Sequence, residues 1–211
     1  MNWDKRRHYY PPIILINIHL AGIIGLTSDL KPLFLWMTPL SLILSAGLLF
    51  FIHKSFSLRF TIFAFSIFLL GFFVEVLGVK TGLVFGNYFY GDTLGYMMFD
   101  VPLIMGLNWL VLTYSTGCFL NRFELNLITK CSLGATILVL LDLLIEQIAI
   151  RNDFWHWSGG VIPIQNYLAW WIISFVFLLL LFFTLGKVTN RLSFLFLAVQ
   201  FLFFGGLLLF Q

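Results

Sequence analysis

The chain predicts an all-α, polytopic membrane helix bundle of about seven transmembrane helices with a cytoplasmic N-terminus, and three observations carry that prediction. The first is composition: 61% of residues are hydrophobic and only 10% are charged, where a soluble domain carries roughly 25% charged residues. A water-soluble domain of this size leaves too much of its surface exposed to hide that apolar excess. The second is the recurrence of windows long enough to span, since a helix needs about 20 apolar residues to cross the hydrocarbon core. The third is a one-sided distribution of lysine and arginine in the connections.

Seven windows satisfy the length requirement, at about 12–28, 33–53, 59–78, 99–120, 127–150, 164–186 and 192–210. The first is the weakest, being short and carrying Asn17 and His19. It follows the basic start Met1-Asn2-Trp3-Asp4-Lys5-Arg6-Arg7 but lacks a small-residue cleavage site, so it is read as a retained span. All seven are read as helices, because an open sheet leaves backbone groups unsatisfied in lipid. Turn-forming residues punctuate them at Ser28-Asp29-Leu30-Lys31-Pro32, Gly86-Asn87, Gly91-Asp92 and Ser158-Gly159-Gly160. With no repeat and no room for an appended module, residues 1–211 form one transmembrane domain in this reading.

Seven crossings put Lys5, Arg6, Arg7, Lys54, Arg59, Arg122, Lys130, Lys187 and Arg191 on the N-terminal side, and only Lys31, Lys80 and Arg151 on the other. That bias makes the N-terminal side cytoplasmic. Basic residues in short loops are a topology signal, not a nucleic-acid patch. Cys118 and Cys131 are too few for a disulfide framework or a thiolate metal site.

The acids run the other way. Glu75, Asp100, Asp142, Glu146, Asp29, Asp92 and Asp153 fall in the outer half, against Asp4 and Glu124 inside. Three outer cations do not neutralise seven outer acids. Helical rise places Asp142 roughly 12 Å below the outer end of its segment, with Glu146 one turn higher on the same face. Asn108 and His19 come out at roughly 13 Å depth, with Glu75 and Asp100 near the rim. The expected arrangement is a polar layer of Asp142, Glu146, Asn108 and His19, with Glu75 and Asp100 at its mouth.

A charge at a helix centre in lipid costs at least about 2.5–3.5 kcal/mol, so such residues usually face the bundle interior and have a role. The structural alternative pairs Glu75 with Lys80, and Glu146 with Arg151, to pin helix ends. Asp142 has no cation near its depth. Two adjacent buried carboxyls do not both ionise cheaply, so one is expected to hold a proton that it can donate. His19 and Asn108 serve equally well as hydrogen-bonded core residues, and no histidine pair has metal-ligand spacing. The long connection 79–98 and the run Asn152-Asp153-Phe154-Trp155-His156-Trp157 are rich in aromatic residues. These form an interfacial belt or an entrance for a long apolar molecule whose cationic form their π faces stabilise.

Several runs together resemble the carotenoid hydratases, integral membrane enzymes of the gamma-carotene and bisanhydrobacterioruberin hydratase type. They are Glu75-Val-Leu-Gly-Val-Lys-Thr-Gly82, Phe85-Gly-Asn-Tyr-Phe-Tyr-Gly91, Leu94-Gly95, Val101-Pro102-Leu103 and Asn108-Trp109. Asp142-Leu-Leu-Ile-Glu146, Phe154-Trp-His-Trp157, Ile162-Pro-Ile-Gln-Asn166 with Trp170, and His19-Leu-Ala-Gly-Ile-Ile-Gly25 complete the pattern over about residues 17–171. Asp100 stands where the resemblance leads one to expect glycine, and Gln147 where it leads one to expect proline.

The resemblance implies cofactor-independent, acid-catalysed hydration of a terminal C=C on an acyclic carotenoid end group, giving a tertiary alcohol. It implies a membrane-dissolved carotenoid as partner and the cytoplasmic (inner) membrane of a bacterium as location. Asp142, Glu146 and Glu75 are the expected catalytic residues: the first two as candidate proton donors, Glu75 as the partner that orients water. His19, Asn108, Asp100, Tyr88, Tyr90, Trp109, Trp155, Trp157 and Asn166 are the expected substrate-binding residues, and no metal is expected. The rivals are a lycopene-cyclase-type enzyme, which begins with the same protonation but closes a ring, and a non-catalytic carotenoid-binding or transport protein. A retinal protein in its usual form is excluded, because segment 192–210 has no lysine for a Schiff base.

Overall fold

The computed structural model describes residues 3–53 and 55–211. Met1, Asn2, Lys54 and the side chains of residues 3–8, among them Lys5, Arg6 and Arg7 of the charge count, lie outside the described residues. The protein is a polytopic helical membrane bundle. Its helices are α1 (Trp3–Leu26), α2 (Lys31–Trp36), α3 (Thr38–Phe51), α4 (Leu58–Thr81), α5 (Ile104–Leu120), α6 (Leu127–Arg151), α7 (Ile164–Leu185) and α8 (Leu192–Phe210). Stretches of α1, α4, α6, α7 and α8 are long and apolar enough to cross a membrane, while α3 and α5 are shorter apolar helices. Large apolar side chains such as Leu58, Phe65, Phe183, Leu202 and Leu209 are exposed on the outside of the bundle, as lipid-facing residues must be.

Two windows changed shape. The expected span 33–53 is two helices, α2 and α3, meeting at Met37. Pro39 stands in the first turn of α3; it has no N–H to give and its ring disfavours an uninterrupted helix through the preceding turn. The expected span 99–120 starts later, at Ile104, because β2 (Met97–Met98) pairs antiparallel with β3 (Val101–Pro102). The tight turn of that hairpin places Phe99 and Asp100 at φ 56° and 64°. Positive φ at both central residues is the conformation that two-residue hairpin turns favour, and it explains why glycine suits position 100.

Local chemistry sets the other boundaries. Ser57 caps α4 by accepting from the Phe60 amide at 3.2 Å, and Gly82 ends it in the left-handed conformation at φ 67°. The Asn126 side chain caps α6 through the Thr129 amide at 2.9 Å.

Helix α5 runs through the centre and touches α3, α4, α6, α7 and α8. Almost every residue from Trp109 to Leu120 is therefore buried. A further strand pair closes one end of the bundle. β1 (Tyr88–Tyr90) lies antiparallel to β4 (Trp155–Trp157), with Tyr88 opposite Trp157, Phe89 opposite His156 and Tyr90 opposite Trp155. Side chains alternate across a strand. Tyr88, Tyr90, Trp155 and Trp157 consequently share the face turned into the bundle, and Phe89 and His156 pack together on the other.

Candidate functional site: a buried carboxyl cluster beside an apolar chamber

The inward face of the strand pair meets three buried carboxyls. Glu75 of α4 is 3% exposed, and Asp142 and Glu146 of α6 are 0% and 1% exposed. Glu75 Oε2 accepts from the Tyr88 hydroxyl at 2.6 Å and the Tyr90 hydroxyl at 2.7 Å. Its Oε1 accepts from Trp109 Nε1 at 2.9 Å. Glu146 Oε2 accepts from Trp155 Nε1 at 3.1 Å and Trp157 Nε1 at 2.8 Å. Asn166 of α7 ties the pair on α6 together, its Nδ2 donating to Asp142 Oδ2 at 2.9 Å and to Glu146 Oε1 at 3.1 Å. Among the described residues Asp142 Oδ1 has no hydrogen-bond partner. A buried polar atom without a partner costs about 1–3 kcal/mol, so this one marks a place where the fold gives up stability.

No cation pairs with these acids among the described residues. Among the described residues the ion pairs are Lys80 with Asp100 and His156 with Asp153, both at the surface. The helix-pinning alternative therefore fails: Lys80 takes Asp100 instead of Glu75, and Glu146 accepts from two tryptophans instead of Arg151. Asp100, expected at the mouth of the site, lines neither of the cavities there and has its side chain exposed on the β2–β3 turn. Burial, reinforced by the negative charge of Glu75, pushes the Tyr88 and Tyr90 hydroxyls well above the usual phenol range. Both phenols stay protonated and remain donors toward Glu75. Among the described residues no three His, Cys, Asp or Glu side chains are grouped so as to hold a metal ion.

Glu75 and Glu146 border one small cavity of about 20 Å³, together with Asn166 and the rings of Phe85, Tyr88, Tyr90, Trp155, Trp157 and Trp170. That is room for about one water molecule. Asp142 does not line this cavity and is joined to Glu146 through Asn166. Glu75 is thus part of the polar layer and not of its rim. The rings pack closely at a tilt: Trp109 lies 4.4 Å from Trp170 at 30°, and Tyr88 5.3 Å from Trp157 at 39°, between centroids. Close approach of α4 makes the Trp109 bond reachable, since a Cβ on Gly71 would lie 2.6 Å from that of Trp109.

His19 and Asn108 are placed elsewhere. They line a much larger apolar chamber of about 320 Å³ between α1, α3, α5, α6 and α8. On α6 this chamber touches Leu141 and Ile145, which precede Asp142 and Glu146 and lie about 100° round the helix from them. His19 Nδ1–H donates to the Leu15 carbonyl at 2.8 Å, and its Nε2 accepts from the Gln200 amide at 3.3 Å. The expected layer of four is therefore two sites: the carboxyls on one side of α6, and His19 with Asn108 on the other. Sequence reasoning missed Gln200, Met105 and the α2–α3 wall of the chamber. Gln200 alone had a signal, as a polar residue isolated in the apolar run 192–210.

The fold and site together define a helical membrane protein with three buried carboxyls on one side of an apolar chamber. The family model described as carotenoid biosynthesis protein matches residues 37–210, and the chain belongs to that family. No curated protein and no solved structure matches it.

Proposed function

We propose that this carotenoid biosynthesis protein hydrates a terminal double bond of an acyclic carotenoid end group by acid catalysis at the Glu75–Asp142–Glu146 cluster. The observation that carries the reading is three buried carboxyls with no cation paired to them among the described residues, two of them facing one water-sized cavity walled by aromatic rings. The Asp142/Glu146 pair supplies the proton. An O–H bond breaks, the π bond opens, and a C–H bond forms at the less substituted alkene carbon, leaving a tertiary carbocation. Carboxylate charge and the faces of Tyr88, Tyr90, Trp155 and Trp157 stabilise that cation. A water held near Glu75 adds through oxygen and releases one proton to a carboxylate, which restores the cluster's proton count. The net change is alkene plus water to tertiary alcohol, with nothing oxidised or reduced.

Asn166 holds the pair in register, and the tyrosines hold Glu75 as an acceptor. The polyene enters sideways from the bilayer. The test is expression with an acyclic carotenoid such as lycopene and mass analysis of the pigments. Wild-type protein is expected to yield a product heavier by one water, and the Asp142→Asn/Glu146→Gln double variant none. Equal product from the double variant sinks the catalytic reading and favours a binding role.

A further inference from the structure

The carboxyl cavity is far too small for a carotenoid end group, while the neighbouring chamber is not. At about 320 Å³ the chamber lies within the range of small-ligand pockets but holds only the end of a long polyene. Leu40 and Leu44 on its α3 wall are 46% and 49% exposed on the lipid-facing side, so the rest of the chain extends into hydrocarbon. The two cavities share two lining residues, Met105 and Trp155. Trp155 is fixed: it is paired in β4, its Nε1 donates to Glu146, and its ring packs edge-on against Tyr90 at 6.0 Å. Met105 has no such tether. It is 4% exposed near the start of α5, and an unbranched thioether with three rotatable bonds moves aside at little cost.

We infer that the apolar chamber seats the isoprenoid end group, and that Met105 is the movable partition through which the terminal double bond reaches the carboxyls. This rests on the proposed function for the chemistry that follows, and assigns Met105 a positioning role, with no part in proton transfer. A rigid, bulkier side chain at 105 closes the passage from the wall that the two cavities share, leaving the acids and the α1 and α3 walls of the seat as they are. A smaller one opens it to wider end groups.

The test uses full-length protein in detergent with lycopene, following both retained pigment and conversion. Met105→Phe is expected to retain pigment with KM within about twofold of wild type while kcat falls at least about tenfold. Met105→Leu, close in volume to methionine, is expected to turn over normally. Ser45→Leu, which fills the chamber from α3, is expected to lose retained pigment with an unchanged unfolding temperature. Wild-type kcat in a folded Met105→Phe variant overturns the partition, and undiminished pigment in Ser45→Leu overturns the seat. A wild-type protein that forms an isomer instead of an alcohol defeats hydration but leaves the partition to be judged on the same kcat ratio. A wild-type protein that converts no carotenoid overturns both.

Discussion

Replacing Glu146 with glutamine changes one atom in a closed hydrogen-bond circuit, and the consequences follow from the donors around it. The new amide oxygen still accepts from Trp155 and Trp157. The new amide nitrogen then takes the place of Oε1, 3.1 Å from Asn166 Nδ2, so donor faces donor. Asn166 relieves this by exchanging its own oxygen and nitrogen. Its oxygen then faces Asp142 Oδ2 at 2.9 Å, which is tolerable only if that oxygen carries a hydrogen. The variant therefore either leaves a bond unmade, at about 1–3 kcal/mol, or locks a proton onto Asp142. Stability falls by no more than about 3 kcal/mol, within what a well-packed membrane bundle tolerates. Activity suffers more, because losing a positioned acid–base group reduces rate by about 10²–10⁴-fold. Product formation in membranes measures the second quantity, and thermal unfolding followed by tryptophan fluorescence measures the first. A folded Glu146→Gln variant within about threefold of wild-type rate would refute the assignment of the circuit to proton transfer.

Other expectations come from packing and surface chemistry. Gly71→Ala forces a Cβ into Trp109; an unfolding free energy lower by about 1–3 kcal/mol is expected, with activity falling alongside. Gly47→Ala, whose Cβ meets nothing within 4 Å, is expected to keep wild-type activity and unfolding temperature. Asp100→Gly removes an exposed ion pair worth about 0–1 kcal/mol but relieves a positive φ, so its unfolding temperature and product yield are expected to match or exceed wild type. His53, beyond the end of α3, donates from Nε2 to the Ser55 carbonyl at 2.6 Å and accepts at Nδ1 from Tyr114 at 2.7 Å. Burial lowers its pKa despite the Ser55 bond, so the folded state favours the neutral ring. That stabilisation is complete above the usual histidine value of about 6.5 and is lost as pH falls from there through the folded value. The unfolding temperature is expected to drop on acidification below neutrality, and less steeply in His53→Gln.

Much of the bundle was legible because lipid imposes a simple code of apolar length. All seven windows contain helix, and Asp142 and Glu146 share a face as i and i+4 residues must. What failed was rotation about the helix axis. Depth counting put His19 and Asn108 level with the carboxyls, but nothing in their spacing says which side of α6 they approach. The α2–α3 break needed only Pro39, whereas the shortened α5 needed the hairpin pairing of Met97–Met98 with Val101–Pro102. The roles of Tyr88, Tyr90, Trp155 and Trp157 were hidden for a different reason. Tyr-Phe-Tyr and Trp-His-Trp each show a two-residue alternation, yet the two strands lie far apart in sequence. Only their pairing turns apparent belt aromatics into hydrogen-bond donors to Glu75 and Glu146. Met105 carried no signal, since a methionine in an apolar run is indistinguishable from core.

Addition of water to a carbon–carbon double bond by the buried acids leaves a traceable oxygen atom in the product. The most direct measurement is incubation of the wild-type protein with lycopene in heavy-oxygen water, followed by mass spectrometry of the carotenoid product. A product heavier by one labelled water, with the label in a tertiary alcohol, is the expected result. An unchanged mass with a shifted absorption spectrum would mean ring closure at the same acids and would contradict hydration.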